Sequence, residues 1–176
     1  GFDAEEVLDL ARDFGPLHMF MAPTMVRRLT DVGKRLHMKG EGLRTIVYAG
    51  GPMYLADIVE AVDWFGPIFV QIYGQGESPM TITALTKAMH RNASDELLTS
   101  VGVAHSVVDV KVIDEQGEAL PAGEVGEICV RGDVVMKGYW NKPDASESAL
   151  KGGWLHTGDM GVFDEDGFLT LKDRVK

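Results

Sequence analysis

Four short stretches hold the side chains best suited to chemistry: residues 48–53 (YAGGPM), 73–77 (YGQGE), 126–146 (GEICVRGDVVMKGYWNKPDAS) and 153–159 (GWLHTGD), with DRVK at 173–176 closing the sequence. Gly50 and Gly51 have no Cβ, so a flat ring or an apolar chain can lie against their backbone; Gly-Gly-Pro, with Pro52, also makes an ordinary strand-to-helix turn. Tyr73 can stack on a base, as aromatic side chains do, or serve as a core residue at a strand end. Glu77, in the loop after that strand, can hold Mg²⁺, an ion that takes one or two carboxylates beside phosphate oxygens; it can equally be a solvated loop carboxylate. Asp159 offers two acceptor oxygens that suit a pair of neighbouring hydroxyls, or a polar turn ahead of Val162 and Phe163. Arg174 brings five donors in a fixed fork for sugar or phosphate oxygens, or pairs at the surface with Asp173.

Other familiar chemistry is missing. There is no G-x-S-x-G elbow, no Walker loop, no G-x-G-x-x-G and no Cys/His zinc spacing. His18, His37, His90, His105 and His156 are scattered without metal-ligand spacing. Asp164 and Asp166 before Gly167 faintly resemble the start of a calcium loop, but the rest of that pattern is absent and a hairpin turn is expected. Cys129, the single cysteine, reads as a small packing residue rather than a nucleophile.

The elements that must position these residues are set by periodicity. Asp3 and Glu6 have capping-box spacing, and Val7, Leu10, Ala11 and Phe14 continue a helix that Gly15-Pro16 ends. Val26, Leu29, Gly33 and Leu36 lie on one helical face after Pro23. Residues 43–48 (LRTIVY) read as a strand, Leu55, Ile58, Val59 and Val62 as a helix, and 68–73 (IFVQIY) as a second strand. Helix, helix, strand, helix, strand predicts a parallel sheet covered by helices. With a right-handed crossover, the loops at 49–53 and 74–79 emerge at the sheet edge where ligands of open α/β sheets bind. Beyond residue 86 the pattern changes. Short β-type runs at 107–113, 127–131 and 168–171 alternate with Gly-containing turns. The predicted fold class is therefore α/β: a helix-covered, mainly parallel sheet over residues 1–86, a polar connection at 87–100, and a small antiparallel β unit over 101–176.

Bulk properties exclude several function classes. The 176 residues carry a formal net charge of −10, 45% hydrophobic and 25% charged residues, and 21 glycines. So acidic a surface repels nucleic-acid phosphate and anionic headgroups, and no nucleic-acid partner is expected. One cysteine permits no internal disulfide. No apolar run reaches the roughly 18 residues that span a bilayer, and no signal peptide opens the sequence; a cytoplasmic protein is expected.

Taken in order, the four stretches resemble the adenylate-forming superfamily of acyl-CoA synthetases, peptide-synthetase adenylation domains and luciferases. The likeness covers essentially the whole chain, and YGQGESPM is most similar to the fatty-acyl and related carboxylate–CoA ligases. The resemblance implies the second half of such an enzyme's large N-terminal domain, and a reaction in two halves. A carboxylate attacks the α-phosphate of MgATP to give an acyl-adenylate and pyrophosphate; coenzyme A thiol then displaces AMP. It also implies roles: Gly50, Gly51 and Pro52 with Tyr73, Gly74 and Gly76 at the nucleotide and acyl group, Glu77 as catalytic residue and metal ligand, Asp159 and Arg174 at the nucleotide sugar, and Lys176 at the hinge to a C-terminal domain.

The sequence departs from the family pattern at Gly76, where the usual threonine hydroxyl would reach phosphate. The family's phosphate loop and its C-terminal domain with the catalytic lysine are not in these 176 residues. The expectation is an interior fragment, inactive alone, of a ligase for a fatty or aromatic acid, using ATP/AMP, Mg²⁺ and coenzyme A. Uncovered apolar surface would allow it to self-associate. Two alternatives are an amino-acid-activating domain and a non-catalytic nucleotide-binding module.

Overall fold

In a computed structural model the structure describes residues 1–174, with side chains through Lys172. The chain forms two compact units, residues 1–71 with 85–99, and residues 72–84 with 100–176. Each is built on its own apolar cluster.

The first unit opens with helix α1 (Ala4–Phe14). The Asp3 carboxylate accepts from the backbone N–H groups of Glu5 and Glu6 at 3.0 and 3.1 Å, a cap worth about 1 kcal/mol. Leu8 and Ala11, one turn apart, are fully buried. Strand β1 (Leu17–Met21) comes next, then α2 (Pro23–Leu36), β2 (Leu43–Tyr48), α3 (Leu55–Phe65) and β3 (Phe69–Gln75). Pro23 at the start of α2 suits a position whose N–H has no helical partner. Strand β2 and the start of β3 pair in parallel, as the alternating pattern predicted, and β1, which that pattern did not include, pairs in parallel with β2. Met21, Val26, Leu29, Ile46, Ile58 and Phe69 are at 0% exposure and form the core between sheet and helices. Each such side chain contributes roughly 1.5–3 kcal/mol of burial. Two short helices, α4 (Lys87–His90) and α5 (Asp95–Thr99), return to this unit. They lie in the stretch read from sequence as a polar connection.

The second unit starts with the rest of β3, which turns through Gly76 and Glu77 into β4 (Ser78–Leu85). Strand β4 pairs antiparallel with the two-residue β5 (Val103–Ala104). Beyond it lies a four-stranded antiparallel sheet: β6 (Asp109–Ile113), β7 (Gly126–Arg131), β8 (Leu155–Phe163) and β9 (Leu169–Arg174), in sequence order. Val112, Ile128, Val130, Leu155 and Leu169 bury one face of it against Tyr73, Ile82 and Val101. The turns between β6 and β7 and between β8 and β9 are closed by aspartates. Asp114 accepts from the N–H groups of Gln116 and Glu118, and Asp164 from those of Asp166 and Phe168. The predicted Asp164 turn is thus a hairpin turn between β8 and β9. Helix α6 (Pro143–Ala149) fills the connection from β7 to β8.

Besides α4 and α5, four elements differ from the sequence reading. Strand β1 is only five residues long and its apolar residues alternate weakly, since Phe20 is 50% exposed. Strand β4 begins at Ser78, inside the stretch 74–79 expected to be a loop, because a two-residue hairpin needs far less chain. Strand β8 runs through the 153–159 motif despite Gly158 and Gly161. Helix α6 carries no buried residue, so no apolar stripe announced it.

Candidate functional site

Tyr73, Gly74, Gly76, Glu77 and Asp159 belong to one unit, supplied by the β3–β4 hairpin and by β8. Tyr73 does not end its strand; β3 continues through Gly74 and Gln75. The reason for glycine at 74 is the hairpin itself. A Cβ there would stand 2.2 Å from the backbone N of Met80 and 2.6 Å from the Ser78 carbonyl oxygen. Gly76 is exposed, and a Cβ on it would meet nothing within 4 Å, so a ligand group can lie against it.

Asp159 is 8% exposed and Tyr73 also 8%. The Tyr73 hydroxyl donates to Asp159 Oδ2 at 2.7 Å, and Gln75 Nε2 donates to the same oxygen at 2.7 Å. Gln75 Nε2 gives its other hydrogen to the Thr157 carbonyl at 2.8 Å. One carboxylate oxygen thus receives two donors from the hairpin, which fixes the carboxylate plane. A buried charge needs such partners to be tolerated at all. Residue 174 stands directly opposite Asp159 in the β8–β9 register.

Glu77 is half-buried and held twice. Its carbonyl oxygen accepts from the Met136 N–H, and its Oε1 accepts from the Tyr139 hydroxyl, both at 2.7 Å. The bond to Glu77 is the main cause that raises the Tyr139 phenol above its ordinary value. Tyr139 is in turn anchored through its N–H to Ser146 Oγ at 2.8 Å. Tyr139 therefore anchors a loop, whereas the neighbouring Trp140 is 89% exposed. A single half-buried carboxylate fits Mg²⁺, whose remaining ligands are normally phosphate oxygens and water.

Gly50, Gly51 and Pro52 lie in the first unit, in the exposed loop after β2. Gly50 has φ +81°, and neither it nor Gly51 would bring a Cβ closer than 3.9 Å to another group. Lys176, the predicted hinge, lies outside the described residues.

Sequence reading missed Gln75, Thr157, Glu127 and the partnership of Tyr139 with Glu77. Only Glu127 left a trace: Glu127 and Cys129, two apart on a strand, share the face opposite Ile128 and Val130. With His156 they bring metal-donor atoms within 4.8 Å of one another, the only such group among the described residues. Both Glu127 oxygens are already engaged, Oε2 with His156 Nδ1 at 2.9 Å and Oε1 by the Gly158 N–H at 3.1 Å. Cys129 Sγ meets the same His156 nitrogen at 3.7 Å. A nucleophile relay needs base and orienting acid on opposite ring nitrogens, so this is no relay. Burial and then the Glu127 charge push the Cys129 thiol up to about 12, and it stays protonated. The cluster is a hydrogen-bonded brace.

Comparison with known proteins finds relatives over nearly the whole chain. Residues 1–140 match the family model described as AMP-binding enzyme. The chain is 40% identical over 175 residues to the medium/long-chain-fatty-acid–CoA ligase FadD8 of Mycobacterium tuberculosis, covering 99% of this chain and 30% of that protein. It superposes on the amide bond synthetase McbA of Marinactinospora thermotolerans with a TM-score of 0.91 at 39% identity, over 99% of this chain and 35% of that one. O-succinylbenzoate coenzyme A synthetase (MenE) of Bacillus subtilis, solved in complex with AMP, gives a TM-score of 0.82 at 32% identity, over 98% of this chain and 34% of that one. The chain thus spans about a third of the length of the relatives it matches.

Proposed function

The chain belongs to the AMP-binding enzyme family, and on that premise we propose that it supplies the nucleotide-handling part of an ATP-dependent carboxylate–coenzyme A ligase acting on a fatty or aromatic acid. The carboxylate oxygen attacks the α-phosphate of ATP, the bond to the β-phosphate breaks, and pyrophosphate leaves. The thiol of coenzyme A then attacks the acyl carbon and AMP departs. Substrates of this kind put the activity in the cytoplasm.

The observation that carries the reading is the bond from Tyr73 to Asp159, which joins two of the motif stretches in one unit. In this reading the Tyr73 ring stacks on adenine and the Asp159 carboxylate accepts from the sugar hydroxyls. A sugar hydroxyl bound at Oδ2 shares that oxygen with Tyr73 and Gln75. Gly50, Gly51, Pro52 and Gly76 leave backbone open to the nucleotide and acyl group, Gly74 lets the hairpin that carries Gly76 and Glu77 close, and Arg174 donates to sugar or phosphate. Glu77, oriented by Tyr139, holds Mg²⁺. When bound, that ion neutralises the charge that develops as pyrophosphate leaves.

The test is carboxylate-dependent ATP–pyrophosphate exchange by a protein extended to the full length of the relatives, with Glu77→Gln beside it. Exchange with one acid class, falling by about a hundredfold or more in the variant, is the expected result. Residues 1–176 alone are expected to show none. No exchange with any acid from a folded extended protein would sink the reading. A second reading, with an amine as acceptor in place of the thiol, is favoured by the likeness to an amide bond synthetase. Both readings share the exchange half, and product analysis with coenzyme A or an amine separates them.

A further inference from the structure

Glu127 has no part in the chemistry above, yet it holds the turn from which Asp159 projects. Strands β7 and β8 pair at Cys129 with His156 and again at Glu127 with Met160. Between those pairs β7 has one residue and β8 has three, Thr157, Gly158 and Asp159. The two extra residues bulge from the sheet, so their backbone groups lose ladder partners. Buried or half-buried backbone groups must then be satisfied in another way.

Side chains meet that need here. Glu127 Oε1 accepts from the Gly158 N–H at 3.1 Å. Glu127 Oε2 accepts from His156 Nδ1 at 2.9 Å; an ionised carboxylate only accepts, so that nitrogen carries the hydrogen. Thr157 Oγ1 donates to the Ile128 carbonyl at 2.7 Å and accepts from the Asp159 N–H at 3.1 Å. Gly158 has φ +68°, a conformation that favours glycine. Glu127 therefore grips both sides of Thr157, immediately ahead of Asp159. Its face of β7 is opposite the one where Ile128 and Val130 pack, so its removal opens no hole in that apolar cluster.

We propose that Glu127 is the positioning residue of the nucleotide-sugar subsite: by clamping His156 and Gly158 it sets where the Asp159 carboxylate stands. This rests on the reading of Asp159 as the group that meets the sugar. Without Glu127 the bulge has an unpaired N–H and can shift register, carrying Asp159 with it.

The experiment compares ATP with 2′,3′-dideoxy-ATP in the exchange reaction of the extended protein. Asp159→Ala tests the underlying reading: the preference for ATP should collapse. Glu127→Ala should do the same, raising the KM for ATP about tenfold while leaving that for the dideoxy nucleotide nearly unchanged. Glu127→Gln keeps an acceptor for the Gly158 N–H and should retain most of the preference. Glu127→Asp, a milder shortening, should give an intermediate loss and serves if the alanine variant does not fold. Equal losses with both nucleotides would make Glu127 merely structural and overturn the proposal, as would an unchanged preference in both Glu127→Ala and Glu127→Asp. An unchanged preference in Asp159→Ala would instead remove the sugar reading, and the proposal with it.

Discussion

Single residues in the second unit are constrained by neighbours far along the chain. The Cys129 thiol is fully buried and held up to about 12, chiefly by burial. Only the thiolate attacks electrophiles, and at pH 8 its fraction is then on the order of 10⁻⁴. The native chain should therefore resist iodoacetamide at pH 8 for hours and label promptly in denaturant. Native labelling at the rate of an exposed thiol, read by mass spectrometry, would contradict this. The two hairpin glycines separate in the same way. Gly74→Ala pushes a methyl into the Met80 backbone and should cost about 1–3 kcal/mol. Gly76→Ala meets open space and should stay within about 0.5 kcal/mol. Urea midpoints of the two variants decide it; equal losses would mean that the close approach at residue 74 relaxes without cost.

Between elements, two polar contacts tie α4 to β2, the Lys87 ammonium on the Arg44 carbonyl and the buried pair of His90 and Tyr48. His90 is 1% exposed; its Nδ1 meets the Thr86 carbonyl at 2.8 Å and its Nε2 the Tyr48 hydroxyl at 3.0 Å. A carbonyl only accepts, so Nδ1 carries the hydrogen and Nε2 accepts from Tyr48: the neutral ring satisfies every group. Burial is the main cause that lowers the His90 value, against the smaller, opposite effect of the Thr86 bond. Burial also raises the Tyr48 phenol well above its ordinary value. For His90 the unfolded chain takes up a proton at about pH 6.5, before the folded one does. Stability is therefore full above that pH and falls as pH drops through it toward the folded value. Urea unfolding at pH 7 and pH 5 should show the loss, and His90→Gln should show less of it; equal losses would refute the assignment. This contact was not legible in the sequence, which shows His90 only as one of five scattered histidines. The long amphipathic helices α1, α2 and α3 were legible, because a 3.6-residue period needs only local residues. The short α4 and the solvent-exposed α6 have no such stripe and were missed.

For the whole molecule, no helix among the described residues is long and apolar enough to cross a membrane, and the formal net charge is −10. The mainly parallel sheet with helices and the antiparallel sheet have the α/β and antiparallel β characters that the periodicity showed, while the two units take other bounds than 1–86 and 101–176. What the sequence by itself determined is the fold class, the order of the motif stretches and the family they indicate, since these depend on residue types and local spacing. What only the tertiary structure decided is which side chains meet. Tyr73 and Asp159, 86 residues apart, share a bond; Tyr139 and Glu77, 62 apart, share another; Glu127 grips a turn 31 residues on. The physical reason is register. A two-residue excess in β8 and a two-residue hairpin between β3 and β4 set these meetings, and neither leaves a period for sequence reading to detect.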